Sequence, residues 1–215
     1  MKKISLSVIT LVSIVQFGFA QINDLKISFF KEPAGTGNPQ ESFRSNENFY
    51  GTVDLKGKTI KDFFEMQDIT ASNPYSYLFY VMEVYKGTEM VGDNSWNIAY
   101  VPETGKKSTT LKFDVLPLPA NATTVLSGTP QFDAGLAAAP LYSIIANQYL
   151  KETGIYTVRI HIYNRTSDAY GNEKPADKWP GCSGSFTFNF TEDDVAMLLK
   201  NGEAAGKIAA KKAFK

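Results

Sequence analysis

The chain has 215 residues, with 22 Lys and Arg balanced by 22 Asp and Glu, one His and one Cys. Its 43% hydrophobic and 13% aromatic content is that of a globular protein, and it excludes an acidic disordered chain, a collagen-like repeat and a disulfide-rich miniprotein. Balanced charge argues against a dedicated nucleic-acid binder, and a lone Cys182 with a lone His161 can build neither an internal disulfide nor a Cys/His zinc cage.

Residues 1–20 read as a secretory leader. Met1-Lys2-Lys3 is a short basic start, Ile4 to Phe19 is mostly apolar, and Gly18-Phe19-Ala20 places small residues at the two positions a signal peptidase reads. The apolar run, about 16 residues, is short of the roughly 20 that a membrane span needs. No Cys follows the cleavage site, so a lipid anchor is not expected, and nothing after residue 20 is apolar for long enough to span a bilayer. The reading is therefore an exported protein of the periplasm, cell surface or medium, in the style of a bacterial leader. Lys2 and Lys3 leave with the leader, so the remaining chain is slightly acidic.

From Gln21 the dominant pattern has a period of two. Phe49, Gly51, Val53 and Leu55 alternate with Tyr50, Thr52 and Asp54; Leu111, Phe113 and Val115 alternate with Thr110, Lys112 and Asp114. Tyr156, Val158, Ile160 and Ile162 alternate with Thr157, Arg159 and His161, and Phe186, Phe188 and Phe190 with Thr187, Asn189 and Thr191. One buried and one wet face per strand is the mark of antiparallel sheets. Residues 77–85 are apolar on both faces, which predicts the most central strand, and weaker strands are expected at 25–31, 60–66, 88–91 and 96–101. Gly-containing links at 56–58, 86–88 and 103–106 read as hairpin turns.

Two segments break the alternation. Residues 117–135, rich in Pro, Ala, Gly and Thr, form a long connection. Beyond them the spacing of Leu141, Ile144, Ile145 and Tyr149 predicts a helical crossover over 140–153, with Gly154 as its stop. Thr191 followed by Glu192, Asp193 and Asp194 predicts the capped start of a C-terminal helix over 192–201, ended by Gly202. Residues 202–215 are an Ala/Lys-rich tail.

Gly154-Ile155-Tyr156-Thr157-Val158 opens the cleanest strand, and it resembles the tyrosine corner of immunoglobulin-like domains, where a Tyr hydroxyl bonds to backbone just upstream. The resemblance implies an antiparallel immunoglobulin-like β-sandwich, here of about eight or nine strands and mainly β, with Val158 and Val53 at the positions that often carry the disulfide. The separation of Val53 from Val158 requires long insertions, including 117–153. One enlarged domain over 21–201 accommodates the last two strong strands better than two small domains split near residue 117.

No motif singles out a catalytic centre. Gly181-Cys182-Ser183-Gly184-Ser185 lacks the G-x-S-x-G elbow and leads into a strand. A Cys182–His161 dyad conflicts with the alternation that puts His161 on a wet face, and no carboxylate pair stands out for glycoside hydrolysis. Asp193-Asp194 is explained by the helix dipole, and Gly92-Asp93-Asn94-Ser95 lacks calcium-loop spacing. No metal and no cofactor are implied.

Aromatic residues in polar loops remain. Trp179 and Tyr170 lie in the loop 164–181, Trp96 follows Gly92-Asp93-Asn94-Ser95, and Tyr75 follows Asn73-Pro74. Such rings either stack on a sugar or a protein partner, or fold inward as lids. The functional expectation is an exported, non-enzymatic binding module for a glycan or an envelope protein, with no nucleic acid. The rival expectations are a carboxylate-dependent hydrolase of envelope polymers, and a structural subunit pairing through a sheet edge. The leader reading predicts an exported chain beginning at Gln21; mass spectrometry that finds Met1 retained would overturn it.

Overall fold

A computed structural model describes residues 25–33, 35, 37–68, 76–101, 103, 105–122 and 140–213. The segment 1–20 read as a leader, Tyr75 and residues 123–135 of the long connection lie outside the described residues. The strands are β1 (Leu25–Lys26), β2 (Ser28–Phe30), β3 (Ser42–Arg44), β4 (Phe49–Asp54), β5 (Tyr77–Lys86), β6 (Glu89–Tyr100), β7 (Thr110–Leu116), β8 (Gly154–Tyr163) and β9 (Gly181–Phe190). The α-helices are α1 (Ile60–Phe63), α2 (Pro140–Ala146) and α3 (Val195–Ala213).

The architecture is mainly β, in two sheets with a C-terminal helix. The larger sheet runs β6-β5-β8-β9, and β9 carries β1 and β3 on its other edge. The smaller sheet runs β2-β4-β7. Its pairs, and those from β6 to β9, are antiparallel, whereas β1 and β3 run parallel to β9. The larger sheet is therefore mixed, where alternation alone predicts antiparallel pairing. An alternating pattern reports which face is buried, not the direction of the neighbouring strand.

The alternation in β8 is borne out side chain by side chain. Tyr156, Val158, Ile160 and Ile162 are buried, while Ile155, on the opposite face, is 65% exposed. On β9, Cys182, Phe186, Phe188 and Phe190 point inward with them. The two sheets meet ring to ring: Phe49 of β4 lies 5.0 Å from Phe186 and 6.2 Å from Phe188, and Phe29 of β2 lies 4.9 Å from Phe186. On one flank α2 packs on both β6 and β7. On the other flank the chain itself changes sheets, pairing with β9 through β1 and then with β4 through β2.

Gly184 permits that change. A Cβ there would stand 2.7 Å from Ile27 Cβ and 2.9 Å from Ile27 O, closer than packed atoms come. Gly51 has the same role in the smaller sheet, where the Phe113 ring of the paired strand lies over its Cα.

Five sequence expectations are corrected. Residues 60–63 are a helix, because the Thr59 hydroxyl accepts the Asp62 N–H at 3.1 Å and caps a turn. The strands expected at 88–91 and 96–101 are one edge strand, β6. The crossover helix stops at Ala146, and Gly154 instead opens β8. Residues 192–194 form a 3-10 turn, and α3 then runs through Gly202 to Ala213. Gly202 does not stop the helix because its missing side chain makes room for the Tyr142 ring, which a Cβ would approach to 2.9 Å. Strand β5, apolar on both faces, sits between β8 and β6; β8 is nearer the centre.

The Tyr156 hydroxyl donates to the Glu152 carbonyl at 2.7 Å, closing the turn that feeds β8. Tyr156→Phe removes that donor from a partly buried bond and is expected to cost about 1 kcal/mol in urea melts. Tyr170→Phe, at a ring 91% exposed, is the control that leaves the midpoint in place.

Candidate functional site

The outer face of the larger sheet carries a row of rings at one end. Tyr77 meets Phe79 edge to face at 5.3 Å, Phe79 stacks on Tyr163 at 5.6 Å, and Tyr163 stacks on Trp179 at 5.4 Å with planes 4° apart. Register explains the middle of the row, since Phe79 of β5 lies directly opposite Tyr163 of β8. The Arg165 guanidinium sits 4.8 Å from the Phe79 centroid and 5.4 Å from that of Trp179, so one cation faces two π surfaces.

The loop from β8 to β9 brings Trp179 down onto this face. It is held closed by its own backbone: Lys174 N–H donates to Thr166 O at 2.8 Å, Ser167 and Glu173 form a bridge, and Asn164 N–H donates to Pro180 O at 3.1 Å. The Trp179 indole donates to Lys174 O at 2.9 Å. The Asn164 amide reaches Phe64 O at 2.8 Å, and Lys174 pairs with Glu65 at 2.7 Å, which anchors the loop to the segment after α1.

Between that loop and residues 65–67 lies a groove of about 650 Å³, lined by Tyr77, Phe79, Arg165, Asp168, Glu65 and Glu173 among others. Tyr77 is 37% exposed at its wall. The carboxylates are engaged: Glu65 by Lys174, Glu173 by Arg165 at 3.9 Å, and Asp168 by the N–H groups of Tyr170 and Asn172, each at 2.9 Å. The Asn172 main chain, helped by Tyr170, holds the Asp168 carboxyl below its ordinary range despite the opposing effect of desolvation. Burial, the largest influence on Tyr163, pushes its phenol upward, so the ring stays neutral in this stack.

The rings expected from the sequence end in different places. Trp179 is half-buried, lying over Tyr163 on the outer face and not over the inter-sheet core. Tyr163, which continues the outer side of β8 after Thr157, Arg159 and His161, is only 7% exposed, because Trp179 covers it. Tyr170 projects into solvent at the loop tip, in the turn that Asp168 caps. Tyr75 and the Trp96 side chain lie outside the described residues. The groove residues Tyr77, Phe79 and Arg165 were not singled out by the sequence. Their signal was the apolar outer face of β5 beside a polar β8.

The remaining candidates separate. His161 lies opposite Ser183 and Cys182 opposite Ile162, so strand parity points the two side chains to opposite faces, and Cys182 is buried. Asp194 accepts from the Ser45 hydroxyl, tying the start of the C-terminal helix to the end of β3. Among the described residues no three His, Cys, Asp or Glu side chains gather to hold a metal, and no helix is long and apolar enough to cross a membrane. Comparison with family models, with curated proteins and with solved structures finds no match to this chain.

Trp179→Ala strips the cover from Tyr163 and leaves Lys174 O without its indole donor. A loss of about 2 kcal/mol is expected, below the range for a fully buried Trp. Unfolding followed by circular dichroism checks it; an unchanged midpoint would mean that the stack holds nothing in place.

Proposed function

We propose that this chain is an exported, non-enzymatic binding module on an immunoglobulin-like sandwich, and that it takes a glycan in the groove beside Tyr77. The order of the larger sheet, β6-β5-β8-β9, corresponds to C′-C-F-G of a variable-type immunoglobulin domain, and β2-β4-β7 to A-B-E. Tyr156 then falls at the start of the F strand, where the tyrosine corner belongs, with its hydroxyl on a backbone carbonyl four residues upstream. The departures are the absence of a D strand among the described residues and of the B–F disulfide, whose positions are the buried Val53 and Val158.

The observation that carries the glycan reading is the ring of Tyr77, exposed in a groove whose lining, apart from Phe79 and Met66, is otherwise polar. A sugar offers an apolar face of C–H groups and a rim of hydroxyls. An exposed phenol ring takes the first, and Arg165, Glu173 and the Asn164–Asp168 segment take the second. A docked protein segment would ask for a larger apolar surface than one ring provides. The engaged carboxylates favour binding over hydrolysis, because glycosidic cleavage requires a carboxylic acid that keeps its proton near neutral pH. Export is supported by the leader pattern of residues 1–20.

A glycan array probed with the chain from Gln21 tests the reading. Tyr77→Ala is expected to lower affinity for the selected glycan about tenfold, the worth of one stacking contact, with little change in melting temperature. A wild-type chain that selects no glycan, or a Tyr77→Ala variant that binds as well, would overturn it.

A further inference from the structure

The Tyr77 groove has a direction. Pairing of β5 with β8 ends at Phe79 opposite Tyr163, so residues 164–168 continue the line of β8 past the sheet and alongside Tyr77. All five of those residues line the groove, which gives it one wall of unbroken chain, about 13 Å long if extended. The wall ends where Ser167 bridges Glu173 and the chain reverses through the turn 168–172. Gly171, on the far side of that turn, lines the groove as well. The groove therefore runs from the aromatic rim of the sheet to the tip of the β8–β9 loop.

Tyr170 stands at that tip, between Asp168 and Gly171 of the lining. Its ring is 91% exposed, so burial does not account for a large aromatic in a turn, where small polar residues are usual. The turn is also stiff. The Asp168 carboxylate accepts the N–H groups of Tyr170 and Asn172 at 2.9 Å each and the Asn172 side-chain amide at 3.3 Å. Asp168 N–H donates to Asn172 O at 2.8 Å, and Gly171 N–H donates to Asp168 O at 3.1 Å. Gly171 supplies the positive φ of 84° that the reversal needs. A backbone bonded at so many points fixes the place from which the Tyr170 ring projects, and a ligand that meets it there loses little loop entropy.

A single sugar cannot use both rings. Tyr77, two residues before Phe79, falls level with residue 165 when the β5–β8 register is continued. From that level to Asp168 the wall covers about 10 Å of extended chain, more than one pyranose ring spans, and Tyr170 lies farther on. Between the two rings the lining is polar, with Ser167, Asp168 and Glu173. A glycan strand repeats an apolar C–H face and a hydroxyl rim at every unit, so it can stack at both ends of the groove and hydrogen-bond between them. We propose that the site takes an extended polysaccharide strand rather than a mono- or disaccharide, with Tyr77 as one stacking platform and Tyr170 as a second farther along the strand. The proposal rests on the Tyr77 reading and specifies the class of glycan.

Isothermal titration of the chain from Gln21 tests it, with two-unit and six-unit oligomers of β-glucan, chitin, mannan and galactan as probes. In the series that binds, the hexamer is expected to bind about tenfold or more tightly than the dimer, because one strand links two contacts. Tyr170→Ala is expected to weaken the hexamer about tenfold and to leave the dimer unchanged. The many registers of a two-unit site along a hexamer raise its affinity equally in both proteins, and they cancel in that comparison. Removing an exposed ring leaves the melting temperature in place, and Tyr170→Trp, which keeps a stacking face, retains hexamer binding. The proposal is overturned by equal affinity for dimer and hexamer, by a Tyr170→Ala variant that binds the hexamer as wild type does, or by one that loses dimer and hexamer alike. If Tyr77→Ala weakens both oligomers while Tyr170→Ala weakens neither, this proposal falls and the Tyr77 reading stands; if no oligomer binds, both fall.

Discussion

The structure depends on a set of phenylalanine rings between its two sheets. Phe49 stacks on Phe43 with centroids 4.0 Å apart and planes 9° apart, and its edge meets Phe186. Phe43 and Phe29 also meet Phe186. These rings come from β2, β3, β4 and β9, so a single cluster fixes the smaller sheet, the larger sheet and the short strands that shuttle between them. Each ring pair contributes about 0.5–1.5 kcal/mol beyond the area it buries. With a single cysteine and hence no internal disulfide, packing of this kind must supply the stability that some small domains take from cross-links.

That packing dictates where glycine is needed. Rings of this size leave no space for a second side chain at the same level, so Gly51 lies beneath Phe113 and Gly184 beneath Ile27. The crossing at Gly184 has a further consequence. It carries the chain off the β9 edge for one rung, so neither β1 nor β3 pairs with Ser185, a by-product of the route by which Phe29 reaches the core. A structural compromise in the interior thus leaves a hydrogen-bonding pair exposed on the surface.

The opposite situation holds at the Tyr77 groove. There the sheet's outer face is apolar, and the β8–β9 loop is recruited to cover it. Trp179 seals Tyr163, Arg165 spans two rings, and Glu65 with Lys174 ties the loop down. The cover stops short of Tyr77. A loop bound by its own hydrogen bonds and by two anchors presents a preorganised wall, which lowers the entropy lost when a ligand is held.

Strands β4, β7, β8 and β9 were legible in the sequence because each puts one face in the inter-sheet core, which imposes a period of two; the second face is not uniformly wet, since Tyr50 of β4 and Asp114 of β7 are buried on it. The Tyr156 corner was legible because Gly, Tyr and an apolar residue stand at fixed offsets along one strand. Residues 60–63 were misread as strand because Ile60, Phe63 and Phe64 suit either period over so short a run, and the capping of Thr59 decides it. Gly202 was misread as a helix stop because its reason lies in Tyr142, sixty residues away. What the amino-acid order determined by itself was local: the core-facing side of the strands, the hairpin turn at 86–88 and the absence of a cysteine framework. The parallel pairing of β1 and β3, the open rung at Ser185, and the ring row joining Tyr77 to Trp179 were decided only by tertiary structure. Each depends on which distant strand or loop lies alongside, and hydrogen-bonding groups of the backbone are the same in every residue that could have been the partner.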